Sequence, residues 1–382
     1  MILYPRLNYS LSASSWLTLL NPFSPSKRAE PDMEHFFSGR KVFYYNHARS
    51  GLTQILKLSF KGCVVGVQPF TCPTVLEAIR EAGCKIYFID INTSLIMDEE
   101  ILKLHLEKID VLILTHTFGL MADVLKIREL MNGKPLIEDC AHAFLSHNGN
   151  VGAGMTGDFA IFSFGFAKFP SAVSGGFVIV NNTDYLNNFE NNYRLLPGLG
   201  CLDGFRQRIM AIFQLILYSM PLYGLFTVKQ KAKRNIAAYR KSPCTPLTYP
   251  YPFCQEIFSR ELQNIDRYLN TQKQNAQRII ESIQNNKAIS LLQQSDEMNC
   301  FLLAVHVENP DKLISYAAVH GIEFGRQFYK SKFIVPHFGY NHGCCPNYEM
   351  LIEKIVTIPC HYHYSQRKIQ QICELIKTYS NE

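Results

Sequence analysis

The sequence predicts an α/β fold: a mostly parallel central sheet with helices on both faces, followed by a smaller C-terminal α+β domain. Three observations carry that expectation. From residue 47 to about residue 183, short apolar runs alternate with segments of helical spacing, the pattern of strand–helix–strand crossovers. The chain has 382 residues and is 47% hydrophobic, which fills a sizeable core and excludes a disordered or collagen-like polymer. Beyond about residue 295 the alternation gives way to a compact mixture of strand and helix signals.

Residues 1–40 are rich in Ser and Pro with isolated apolar patches around Trp16 to Leu20, and read as an irregular N-terminal arm. A large domain over 41–200 follows. NHARSGLTQILKLSF reads as a loop opening a helix at Ser50 and Gly51, and CVVGVQ (63–68) as a buried strand. TVLEAIREAG is a helix closed by Gly83. KIYFID (85–90) and DVLILTH (110–116) are strands with a helix between them near 98–108. MADVLKIRELMNG is a helix ended by Gly133, and PLIED (135–139), DFAIFSF (158–164) and GGFVIVNN (175–182) are further strands. An insert over 201–250 is apolar and then basic. Residues 251–382 hold a connecting helix over 256–285 and the small domain, with a strand at 300–307, the helix DKLISYAAVHG and a last helix started by Ser365.

Charge and cysteine usage narrow the setting. The net charge of +6 equals the six Lys and Arg of 229–241, a run with no acid, so the rest of the chain balances. Twelve cysteines are scattered through apolar runs rather than grouped in a short module, which reads as free thiols in a reducing compartment. The N-terminus lacks the charged start and continuous apolar core of a secretion signal, so a cytoplasmic protein is expected. HGCC (342–345) and CHYH (360–363) do not have a zinc-finger spacing, and no metal site is expected. Nucleic acid is not expected as a partner, because no aromatic-basic recognition fold accompanies the basic run. The uncharged stretch 209–228 leaves three readings open: a buried or dimer-facing segment, an interfacial membrane helix with the basic run on anionic head groups, or a substrate lid.

Ligands of parallel sheets bind beyond the carboxyl ends of the strands. His116, Asp139 and Ser163 stand at such ends. Around them, three motifs follow in order: IEDCAHA (137–143), GAGMTGD (152–158) and FSFGFAKFPSAVSGG (162–176). With Ser50-Gly51, PFTC (69–72) and THTFG (115–119), this order and spacing resembles the DegT/StrS-like sugar aminotransferases, pyridoxal-phosphate enzymes of the fold-type-I group. The resemblance covers about 45–185 well and 256–382 loosely, and does not extend to 1–40 or 200–250.

The resemblance implies a role for each matching residue. Lys168, in the apolar and aromatic setting FGFAKF, would bind the cofactor covalently and serve as general base and acid. Asp139 would hold the proton on the ring nitrogen, and His142 would contact the phenolic oxygen. Ser163 and the helix-start amides of Gly51, Leu52 and Thr53 would hold the phosphate. Cys72 stands where the family has a stacking aromatic, and Ser174 where its glycine turn has a glutamate. The segment that lends an Asn from a neighbouring subunit has no match near YPYPFCQE (249–256). His116 supports the ring or orders its loop, and the residues leave both readings open.

The implied function is amino transfer to a keto-sugar, nucleotide-linked, with glutamate as donor, in surface polysaccharide or glycoconjugate biosynthesis. A homodimer is implied, with peripheral membrane contact through 209–241 at the inner face of the membrane as one reading of the insert. The alternatives are a pyridoxal-dependent sugar dehydratase, against which Lys168 speaks, and a non-catalytic membrane-surface or regulatory protein on the same scaffold.

Overall fold

The computed structural model of the chain describes residues 3–7, 9–21, 31, 33–219, 222–224, 246–292, 295 and 297–380. Chain order runs α1 (Ala13–Leu20), β1 (Val42–Tyr45), α2 (Ala48–Ser59), β2 (Val64–Val67), α3 (Pro73–Glu81), β3 (Lys85–Phe88), α4 (Glu99–Lys103) and β4 (Val111–Thr115). It continues through α5 (Val124–Leu130), β5 (Leu136–Asp139), the short pair β6 (His147–Asn148) and β7 (Val151–Gly152), β8 (Phe159–Ser163), β9 (Gly176–Val180), α6 (Thr183–Arg194) and α7 (Cys201–Tyr218).

Seven strands form one sheet in the order β1-β9-β8-β5-β4-β2-β3. Strands β3, β2, β4, β5 and β8 are parallel, and β9 and β1 join antiparallel at one edge. Every residue of β4, β5 and β9 is buried, as strands covered by helices on both faces require. Parallel pairing aligns Thr115 with Asp139 and Asp139 with Ile161, so the polar ends of β4, β5 and β8 finish at one edge. The aromatic core beneath that edge is dense: Phe162 stacks on Phe177 at 4.7 Å between ring centroids, and Phe164 on Phe258 at 4.0 Å. Each such ring contributes roughly 1.5–3 kcal/mol on burial.

The small domain carries an antiparallel three-stranded sheet of β10 (Ile289–Leu291), β11 (Leu303–Val307) and β12 (Ile355–Ile358), with β11 central. The helices Ile265–Gln284 and Gln366–Thr378 pack together beside it around a second core that includes Ile279, Ile283, Ile372 and Ile376. Ser365 caps the last helix by accepting from the Lys368 amide at 3.3 Å, as the sequence predicts.

Three expectations are corrected. The single helix expected over 256–285 is two, Pro252–Leu262 and Ile265–Gln284, because Asn264 leaves the helical region at φ −112°, ψ 12°. The arm expected to be irregular contains α1. Ser12 caps it, and buried Glu261 accepts from both Ser12 and Ser15, fastening the arm to the Pro252–Leu262 helix. Strand β1 has no counterpart in the sequence reading; its four residues gain their definition from β9, with Tyr45 opposite Gly176.

The insert begins as α7. Arg208 turns inward, donates to the Thr18 and Leu19 carbonyls at 2.7 and 3.0 Å, and stacks its guanidinium 4.3 Å from the Phe253 ring centroid. One arginine thus satisfies carbonyls at the end of α1 and joins α1, α7 and the Pro252–Leu262 helix. The basic run 229–241 lies outside the described residues, as do 220–221 and 225–245 overall. No described helix is long and apolar enough to cross a membrane.

Candidate active site

A cavity of about 220 Å³ opens at the carboxyl edge of the parallel strands, walled by β5, β8, the start of α2 and the start of α3. Asp139 reaches it from the end of β5, Ser163 from the end of β8, and Lys168 from the loop that leaves β8. Cys72, the residue before α3, forms another part of the wall, with its Sγ 3.1 Å from the Thr74 hydroxyl. Of the residues singled out in the sequence, Lys168, Asp139, Ser163, Cys72 and Leu52 line this one cavity.

Asp139 is buried, and its Oδ1 accepts from the Ala141 amide at 3.1 Å. Burial raises its carboxyl above the ordinary aspartate range, against the pull of that amide, of Lys168 and of His116. Its second oxygen has no hydrogen bond among the described residues. Burial lowers the Lys168 amine below the ordinary lysine range, with Cys72 and Asp139 opposing. Among the described residues Lys168 makes no ion pair; its Nζ stands 5.8 Å from the Phe301 ring centroid. The preceding Ala167 is held at φ +65°, a left-handed conformation that costs an L-residue roughly 1–2 kcal/mol. An amine of lowered basicity and a carboxylate with one oxygen unbonded among the described residues thus face the same cavity.

The third corner is a helix end. His47 takes the capping conformation, φ −149°, ψ 150°, so α2 starts at Ala48. The Ser50 amide is used by the His47 carbonyl, and amides from Gly51 onward are consumed inside the helix. Ala48 and Arg49 line the cavity ahead of the expected Gly51, Leu52 and Thr53, of which Leu52 is also part of the wall. Gly51 and Thr53 do not line the cavity. A Cβ at Gly51 would come within 2.4 Å of Val178, so that glycine lets α2 lie close on β9. A Cβ at Gly176 would meet the Ala48 nitrogen at 2.5 Å, so the glycine pair beneath the helix start keeps these amides in place. Ser174 fastens the same turn, donating to the Asn46 carbonyl at 2.7 Å, with His47 Nδ1 3.3 Å away.

Arg49 and His47 are the site residues the sequence reading missed. A cation in the first turn of a helix opposes the helix dipole unless an anion is bound there, and Arg49 carried that signal. Arg49 leans on Glu77 at 3.7 Å. His47 is pushed down to about 4, by burial and then by Arg49, so it is neutral near pH 7.

His142 does not line the cavity. Its ring lies in a stack with Phe301 at 4.6 Å and with Phe118 and Phe328 at 5.6 Å each, and Nδ1 accepts from the Phe118 amide at 3.4 Å. Burial, then Lys168, holds it well below the ordinary histidine range, so it is a neutral ring beside the site. His116 is resolved in favour of order. Its Nδ1 accepts from the Ala122 amide at 3.3 Å, which leaves the proton on Nε2 to reach Glu138 at 3.0 Å. Glu138 also accepts from the amides of Gly154, Thr156 and Gly157 at 2.9, 2.8 and 2.6 Å. Burial pushes the Glu138 carboxyl up, but His116 and these amides outweigh it and hold it below the ordinary range. This network fixes the residue next to Asp139, and through it the end of β5.

The model of the DegT/DnrJ/EryC1/StrS aminotransferase family matches residues 43–208 and 254–377. A UDP-4-amino-4,6-dideoxy-N-acetyl-beta-L-altrosamine transaminase of Campylobacter jejuni subsp. jejuni serotype O:23/36 (strain 81-176) is 30% identical over 139 residues. That match spans 35% of this chain and only 37% of the relative. Among solved structures, a Streptococcus pneumoniae protein described as a sugar aminotransferase, in its PMP form, superposes with a TM-score of 0.78 at 17% identity, covering 98% of each chain. The GDP-4-keto-6-deoxy-D-mannose-3-dehydratase of E. coli, with hydrated PLP, superposes with a TM-score of 0.75 at 17% identity, over 99% of this chain and 100% of that one. At these identities the likeness is one of fold.

Proposed function

The chain belongs to the DegT/DnrJ/EryC1/StrS aminotransferase family, and from that premise we propose a pyridoxal-phosphate-dependent aminotransferase acting on a keto-sugar. The sugar is nucleotide-linked, glutamate is the donor, and the product enters surface polysaccharide or glycoconjugate biosynthesis. One observation carries this reading: Lys168, Asp139 and the start of α2 open onto the same cavity. The donor set fits the cofactor. An amine without an ion pair, a carboxylate with one oxygen unbonded among the described residues, and a helix start match an aldehyde carbon, a ring nitrogen and a phosphate.

When bound, pyridoxal phosphate supplies a ring that withdraws the electron pair left when a proton departs the nitrogen-bearing carbon. The protein supplies the rest. Lys168 would hold the cofactor covalently through Nζ and would serve as the base and then the acid for the proton that moves during amino transfer. Its depressed basicity keeps part of the population neutral, the state that attacks. Asp139 holds the proton at the ring nitrogen, and Ala141 beside it keeps that carboxylate oriented. Ser163, the helix start at Ala48 and Arg49, and the Arg49 guanidinium would hold the phosphate, so Arg49 would take in cis the part that the family gives to a neighbour's Asn. Cys72 packs against the cofactor where the family has an aromatic ring, and His142 stiffens the wall behind it through its aromatic stack.

The dehydratase shares the fold, but a primary amine at position 168 favours amino transfer, because one group can both bind the cofactor and carry the proton. We place the enzyme in the cytoplasm as a homodimer with peripheral membrane contact through the insert. A single-turnover experiment tests the reaction: purified holoenzyme mixed with glutamate should release about one equivalent of 2-oxoglutarate per site, by the stoichiometry of a half-reaction. Failure with glutamate and with every other amino acid would sink the enzyme reading.

A further inference from the structure

Cys63 and Cys84 stand side by side at the amino ends of β2 and β3. The parallel register pairs Val64 with Lys85, and the Lys85 amide donates to the Cys63 carbonyl at 2.9 Å, so the ladder continues one step outward to the two cysteines. Neighbouring strands lie about 4.7–4.9 Å apart, inside the ~4.4–6.8 Å between Cα atoms that a disulfide spans. In-register residues of a parallel pair also point to the same face of the sheet. The Cys84 sulfur already rests on the turn before β2: it donates to the Phe60 carbonyl at 3.1 Å and accepts from the amides of Gly62 and Cys63. A sulfur held against the Cys63 backbone lies within a side-chain rotation of the Cys63 sulfur.

The surroundings favour a link over another use. Both cysteines are half-buried, so a small reagent reaches them without unfolding the chain. Each follows an exposed glycine in the left-handed region, Gly62 at φ +84° and Gly83 at φ +77°, with open space around both, so the backbone has room to adjust to the bond. A metal is not the occupant, because among the described residues no third His, Cys, Asp or Glu completes a ligand group with this pair. Burial, then Asp110, raises the Cys63 thiol above the ordinary range, and burial raises that of Cys84 against the pull of the Gly62 amide. Few thiolates are present near pH 7, so the pair answers a sustained change in thiol–disulfide balance and not a brief pulse of oxidant.

We propose that Cys63 and Cys84 form a reversible disulfide that staples the β2–α3–β3 unit. The oxidant is a low-molecular-weight disulfide such as oxidised glutathione. Cys63 loses its proton and attacks one sulfur of that disulfide, whose S–S bond breaks and whose other half leaves with the proton as a thiol. Cys84 then loses its proton and attacks the Cys63 sulfur, expelling the second half as a thiol. Two protein thiols are thus oxidised by two electrons, and one small disulfide is reduced to two thiols. The staple closes the loop 63–84, which contains all of α3. The far end of that loop bears Cys72, Thr74 and Val75, part of the wall of the active-site cavity, so the staple tightens the unit that carries one wall of the site. The inference does not depend on the aminotransferase chemistry.

Equilibration of the full-chain holoenzyme with excess oxidised glutathione at about pH 8.5, then alkylation of the remaining thiols and peptide mass mapping, tests it. A peptide pair joined through Cys63 and Cys84 is expected, absent before oxidation and lost again on addition of dithiothreitol, with the circular dichroism spectrum unchanged throughout. Cys63→Ser should leave Cys84 alkylated or carrying glutathione, and Cys84→Ser should do the same for Cys63. Amide hydrogen exchange within α3 should slow at least about threefold on oxidation of wild type, and in neither serine variant. Wild type whose two thiols are both still alkylated overturns the proposal, as does glutathione retained on either of them or a link from either to another cysteine. A link that forms only with loss of the folded spectrum, or that leaves exchange in α3 unchanged, overturns the staple.

Discussion

The carboxyl edge of the large sheet and the outer face of α7 handle solvent in opposite ways. At the sheet edge polar side chains are buried, and the network around Glu138 is hydrogen-bonded throughout: Glu138 takes four donors and His116 uses both ring nitrogens. On α7, large apolar side chains are left in water while an arginine is drawn inside. A buried polar network is costly unless it is complete, so its completeness around Glu138 marks a place where position matters. The exceptions stand out against it. Lys168 has no ion pair and one Asp139 oxygen is unused among the described residues, and both face the same cavity. An exposed apolar face is the converse signal, a surface whose partner lies outside the chain. One region is prepared for a small polar ligand and the other for an extended apolar one.

The comparison can be broken at either end, and the largest effect is expected at the amine. Lys168→Ala should lower turnover by at least about a thousandfold while leaving the circular dichroism spectrum unchanged. Activity within tenfold of wild type would remove Lys168 from the mechanism. Next comes Glu138→Ala, which leaves His116 and three amides without their acceptor. It should cost about 3–5 kcal/mol in denaturant unfolding, and a loss below about 1 kcal/mol would mean the network is not what fixes β5.

A pH dependence follows from His47, whose folded pKa of about 4 lies below its unfolded value of about 6.5. Between those values the unfolded chain binds the proton and the folded one does not, so stability rises with pH across that window and is lost as pH falls through it. Relative to His47→Gln, wild type should lose about 2–3 kcal/mol between pH 6.5 and 4, by linkage. Parallel curves for the two proteins would show that His47 is not held neutral. The smallest effect separates the two faces of α7. Phe213→Ser should change stability by less than about 0.5–1 kcal/mol, whereas Leu215→Ala, on the buried face, should cost about 2–3 kcal/mol. Similar losses at both positions would mean that the outer face is covered in the folded protein.

Much of this was legible in the residues. Strand–helix alternation foretold the parallel sheet because buried parallel strands are continuous apolar runs, as VLILT and GFVIV are. Lys168, Asp139 and Ser163 were readable because strand ends and motif order fix them. What escaped depended on contacts distant in sequence. Strand β1 exists through its pairing with β9, and α1 through Glu261, far along the chain. The helix starts three residues earlier than a Ser50 cap implies, because His47 adopts the capping conformation, and Ala48 and Arg49 thereby come to line the cavity. His142 reads as a cofactor ligand from its spacing to Asp139. Only the aromatic rings that converge on it from residues 118, 301 and 328 show that it is packed as part of a wall.

The proposed chemistry stands or falls on Lys168 as the amine that would hold the cofactor. Chemical reduction of the purified holoenzyme with borohydride, followed by peptide mass mapping, tests it most directly. A pyridoxyl group is expected on the peptide containing Lys168 and on no other. A label on a different lysine, or none at full cofactor content, would contradict it.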